Sequence, residues 1–133
     1  MNPDDRLLRY SLRGNAAFST LCGLGAIAAA EPLAGALGLP GAASLTSLAV
    51  QLLVFAGLLI WLASRQPIRL GLALAVVATD VLWVVGTVPV LLSGELTTAG
   101  NWTAFAIANV VGLFALLQFL GIRRARGAGP LPA

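Results

Sequence analysis

The 133-residue chain has no histidine, no lysine and a single cysteine, and charged residues make up only 10% of it. Without histidine it lacks the commonest metal ligand and the usual general base near neutral pH. One cysteine, Cys22, forms no disulfide within the chain, and in its apolar setting it behaves as a small hydrophobe. A soluble domain of this size carries about 25% charged residues to face water. This chain has far fewer, against 59% hydrophobic residues, so its surface is expected to face lipid. The net charge of +3 comes from eight arginines in short segments. No basic stretch interleaved with aromatics is present, and we expect no nucleic-acid partner.

Familiar catalytic arrangements are missing too. There is no Cys-x-x-Cys pair, no Gly-rich phosphate loop and no serine set beside a base. Glu31, Asp80 and Glu95 fall at different depths of an apolar chain, so no two of them can share a proton as an acid–base pair. We expect no enzymatic activity, no cofactor and no bound metal.

The charges divide the sequence into apolar stretches. A membrane-crossing helix needs about 20 mostly apolar residues. The stretches predict an all-α, integral-membrane four-helix bundle forming a single domain over 1–133, with helices at about 13–32, 44–64, 69–92 and 100–122. The first has the shortest uncharged core, and Pro32 is expected to end or kink it. The following LAGALGLP is too short to cross and reads as an interfacial segment on the outer face. Residues 123–133 read as a short basic stretch followed by a flexible tail. A cleavable signal ending at Ala30 is the rival reading of the N-terminus, although Asp4 and Asp5 are atypical of the basic start of such a signal.

All eight arginines fall on one side of this arrangement. Arg6, Arg9 and Arg13 precede the first helix, Arg65 and Arg69 lie between the second and third, and Arg123, Arg124 and Arg126 follow the fourth. The other two connections carry Glu31 and Glu95 alone. Arginine-bearing short segments stay cytoplasmic, so both termini are expected inside a bacterial-type inner (plasma) membrane. Trp61 and Trp102 suit its two interfaces.

Asp80 stands eleven residues after Arg69, or about 16 Å along a helix, close to mid-membrane. A carboxylate there costs at least about 2.5–3.5 kcal/mol, so Asp80 is expected to face the bundle interior as a protonatable group with neutral partners. Asn109 is at comparable depth on the next helix and is the expected partner. Gln51 is near mid-depth on the second helix. Ser11, Asn15, Ser19, Cys22 and Ala26 form one small, weakly polar stripe on the first helix. Ala104, Ala108 and Gly112 form a small-xxx-small seam for close helix packing, bordering Asn109. Gln118, about 180° around the helix from Asn109, is expected to face a second subunit or the inner headgroups.

The leading functional expectation is a small non-enzymatic subunit that acts through helix–helix interaction, as a homo-oligomer or with a larger membrane protein. A small oligomeric transporter or channel, with Asp80, Asn109 and Gln51 as a proton or substrate site, is the first alternative. Binding of lipid or another hydrophobic ligand is the second.

Overall fold

The computed structural model describes residues 3–127 and, among these, contains five α-helices and no strand. After a single 3-10 turn, Pro3–Asp5, come α1 (Arg6–Ala28), α2 (Ala30–Leu37), α3 (Ala42–Ala63), α4 (Leu70–Ser93) and α5 (Thr98–Gly127). By length and apolar composition α3, α4 and α5 can each cross a membrane, and α1 with α2 makes a fourth candidate as a pair bent by 99°. The expected tail at 128–133 lies outside the described residues.

Two boundaries differ from expectation. The first helix begins at Arg6 rather than near residue 13, because the charge of Arg9 is met within the same turn. Its Nε and Nη2 donate to the two carboxylate oxygens of Asp5, each at 3.1 Å. Its Nη1 donates to the carbonyl of Ala63 at 2.6 Å. That carbonyl lies in the last turn of α3, where no intrahelical donor remains for it. Arg9 is therefore buried, only 3% exposed, and ties the start of α1 to the end of α3.

The second difference is the end of α1. The ring of Pro32 conflicts with a continuous helix, since it would meet the carbonyl four residues earlier. The helix stops at Ala28, and α2 restarts with Pro32 in its first turn, where proline is tolerated. α2 closes on Gly38, whose φ of 82° is left-handed, with Leu39 N–H donating back to the Ala34 carbonyl at 2.8 Å. The segment expected to be interfacial is thus a two-turn helix turned across the end of the bundle. Thr97 fastens it there. Its N–H donates to the Leu37 carbonyl and its hydroxyl to the Ala36 carbonyl, while the same hydroxyl accepts from Gly100 N–H and caps α5.

The helices pack in the order α3, α1, α5, α4, and α3 and α4 barely touch. α1, the least apolar of the long helices, is therefore central, and its polar stripe is hidden between α3 and α5. At the arginine end the interior is solid, built from Leu8, Leu12, Leu59, Leu62 and Ile122. Close approach there depends on Gly121, where a Cβ would stand 2.8 Å from both Cα and N of Leu8. Lipid is as apolar as leucine, so such close packing holds apolar helices together where hydrophobic burial gives little. Toward the opposite end a smaller cluster of Ala26, Ala34, Leu45 and Ala49 joins α1, α2 and α3. Between that cluster and α4 the bundle is not filled.

Candidate functional site

Midway along the bundle three helices each contribute one polar side chain to a shared point. Asn15 of α1, Asp80 of α4 and Gln118 of α5 are 1%, 3% and 0% exposed. Asn15 Nδ2 donates to Asp80 Oδ2 at 3.0 Å, and Gln118 Nε2 donates to the same oxygen at 2.9 Å. Asn15 Nδ2 also reaches Gln118 Oε1 at 3.2 Å, and Ser19 hydroxyl donates to Asn15 Oδ1 at 3.4 Å. The cluster is closed on itself, and every interhelical bond in it involves Asn15 or Asp80.

The carboxylate is used unevenly. Oδ2 accepts both amide donors, whereas no hydrogen bond reaches Oδ1 among the described residues. Asp80 is one of the residues that line a chamber of about 210 Å³. Phe18, Phe55 and Trp83 supply the aromatic part of its wall, and Gln51 and Thr79, both exposed, stand at the gap between α3 and α4.

A larger chamber of about 670 Å³ lies beside this one, toward the α2 end. Cys22, Leu48, Leu52, Trp83 and Ile107 belong to the walls of both. Leu33 and Leu37 of α2 cover its end. Thr87 and Thr103 are among its few polar residues, and the Thr87 hydroxyl is already donated to the Trp83 carbonyl at 2.8 Å. Neither chamber has an arginine in its wall. The volume of the larger one falls in the range of about 300–1,000 Å³ typical of small-molecule pockets.

The expected partnership of Asp80 with Asn109 is not formed. Asn109 is exposed, and its Nδ2 donates to the Phe105 carbonyl of its own helix at 2.8 Å. Depth alone is a poor guide here, because Asn109 points about 180° away from the face of α5 that meets Asp80. Gln118, on the opposite side, is the residue that faces inward, and it faces neither a second subunit nor headgroups. Gln51 lines the Asp80 chamber without bonding to the carboxylate, its Nε2 lying 3.5 Å from Ser47 Oγ. Of the small-residue seam, Ala108 is buried, Ala104 lines the larger chamber, and Gly112 sits against Val84 of α4. Asn15 was visible in sequence as part of the α1 stripe. Gln118 had a signal as well: Ala104, Val111 and Gln118 are spaced by seven and share one helix face.

Among the described residues no three carboxylate or cysteine groups come together as a metal site. A carboxylate held by two amides, with one oxygen free of hydrogen bonds among the described residues, can accept a hydrogen bond or pair with a cation. The Cys22 thiol lines the same chamber. Comparison with protein-family models, with curated proteins and with solved structures finds no match, so the geometry of this site is what speaks for its role.

Proposed function

We propose that the chain is a four-span membrane protein that binds a lipophilic small molecule within the bilayer. The observation that carries this reading is the apolar chamber of about 670 Å³ that adjoins the Asp80 chamber. In this reading α1 and α2 together form the first span, bent at Ala29, and α2 lies near the outer surface. The one-sided arginines support a reading with both termini on the cytoplasmic side of a bacterial-type inner membrane. The ligand enters sideways from lipid through the gap between α3 and α4, since α2 covers the outer end and the arginine end is solid.

This ranks above the accessory-subunit reading for a physical reason. Exposed apolar residues such as Leu58, Leu92 and Leu113 are what lipid contact requires, and they call for no second chain. The partly open chamber is a departure from the close packing that holds apolar helices together in lipid, and a bound molecule accounts for it. Binding is the role that a carboxylate with two amide partners beside an apolar chamber supports.

Trp83 belongs to both chambers and reports on them once Trp61→Phe and Trp102→Phe remove the other tryptophans. Brominated dodecane added to this protein in nanodiscs should quench Trp83 saturably. Gly86 lines the larger chamber, and a Cβ there meets nothing within 4 Å, so Gly86→Phe adds bulk at that wall from a position with room for its first carbon. Saturable quenching should disappear in Gly86→Phe. Quenching that rises linearly with probe in both proteins would show simple lipid partitioning and reject the reading.

A further inference from the structure

Resting on that reading, we infer that the ligand is a lipophilic cation: an ammonium head held in the Asp80 chamber, with its apolar body in the larger one. Three observations converge on this class. Asp80 lines the smaller chamber, and its Oδ1 accepts no hydrogen bond among the described residues. Phe18 of α1, Phe55 of α3 and Trp83 of α4 line the same small space. A carboxylate together with aromatic faces is the recognition chemistry of an ammonium group, which is attracted both to the charge and to the ring quadrupoles. Finally, neither chamber wall contains an arginine that would receive an anion.

Geometry separates head from body. The smaller chamber, about 210 Å³, has the acceptor and the rings; the larger, about 670 Å³, is lined almost wholly by apolar side chains. The shared residues Cys22, Leu48, Leu52, Trp83 and Ile107 put the two side by side, so a ligand whose head lies in the smaller needs only to pass these side chains to place its body in the larger. A fatty acid would place a second carboxylate against Asp80. A neutral alcohol could donate to Oδ1 but would leave the charge of the carboxylate uncompensated in a low-dielectric site. Asn15 and Gln118 complete the device: by donating to Oδ2 alone they hold the carboxyl group in one rotamer and leave Oδ1 for the ligand.

The test uses the full chain in nanodiscs with Trp83 as its single tryptophan, titrated with dodecyltrimethylammonium, dodecanol and dodecanoate against empty nanodiscs. The ammonium should bind at least about tenfold more tightly than the alcohol, which is a difference of about 1.4 kcal/mol, with dodecanoate weakest. Asp80→Asn keeps the shape of the side chain and should remove that preference while leaving dodecanol binding unchanged. Phe55→Leu, on α3 and outside the amide cluster, should reduce the preference severalfold and serves as the independent variant if Asp80→Asn does not fold. Equal binding of alcohol and ammonium, or an Asp80→Asn protein that keeps the preference, would overturn the ligand class and leave the cavity reading standing. Preference for dodecanoate would overturn the class in the same way. If none of the three changes Trp83 saturably, the cavity reading falls and this inference falls with it.

Discussion

Replacing Gln118 with leucine removes one donor from Asp80 and one acceptor from Asn15, at a position with no exposure and with little change in volume. Interhelical hydrogen bonds in membranes average about 0.6 kcal/mol and reach about 1.7 at most, so losing two predicts about 1.2 kcal/mol of destabilisation, with a ceiling near 3.4. Asn15 retains its bond to Asp80, which keeps the effect below that ceiling. The same reasoning gives a contrast. Asn109→Leu removes only a bond to the backbone of its own helix on an exposed face and should change stability by less than about 0.5 kcal/mol. Unfolding by steric trapping in bicelles measures both. A double-mutant cycle of Gln118→Leu with Asp80→Asn should show coupling, and a cycle of Asn109→Leu with Asp80→Asn should be additive. Additivity at Gln118, or coupling at Asn109, would refute the arrangement of the cluster.

Gly121→Leu should destabilise by about 1–3 kcal/mol or prevent folding, since its Cβ would press on the Leu8 backbone; thermal unfolding in detergent checks this. Arg9→Ala leaves buried Asp5 without its ion pair and the Ala63 carbonyl without its donor, and should lower stability by more than Arg65→Ala, whose guanidinium lies over the exposed Trp61 ring. Cys22 lines both chambers, so a lipid-soluble maleimide should label it slowly in wild type and more slowly in Gly86→Phe, whereas a membrane-impermeant thiol reagent should leave it unlabelled in intact cells. Reporter fusions after residue 126 should behave as cytoplasmic and fusions near Pro40 or Gly94 as periplasmic; a periplasmic C-terminal fusion would reject four spans.

Counting residues between charges was enough to find the long helices, because an apolar run of the right length is hard to place anywhere but in a helix. It was less informative wherever a charge is neutralised locally or the backbone turns. Arg9 looked like a residue outside the bundle, and only its geometry with Asp5, four residues earlier, shows that the pair can be buried together. Pro32 announced an interruption, yet it did not say that the chain would restart as α2 at 99°. That turn depends on Gly38 and on Thr97, which comes from a connection about 60 residues further on.

The polar cluster shows the same division between what a sequence fixes along a helix and what it leaves open around it. The depth of Asp80 followed from its distance to Arg69, and the cost of a carboxylate in hydrocarbon sent it inward. Asn15 was legible because the α1 stripe repeats every three or four residues. Choosing between Asn109 and Gln118 needed the rotation of α5, since the two lie on opposite faces and only one can meet Asp80. The rotation is set by where small residues permit close approach: Gly121 against Leu8 presses α5 onto α1, and that contact carries Gln118 inward one turn away. Asn109 is thereby turned outward, where its amide settles on the Phe105 carbonyl. Matching the depth of two polar residues is therefore too weak a criterion for pairing them. The close approach of Gly121 to Leu8 identifies the partner, and here it selects the residue that depth alone would pass over.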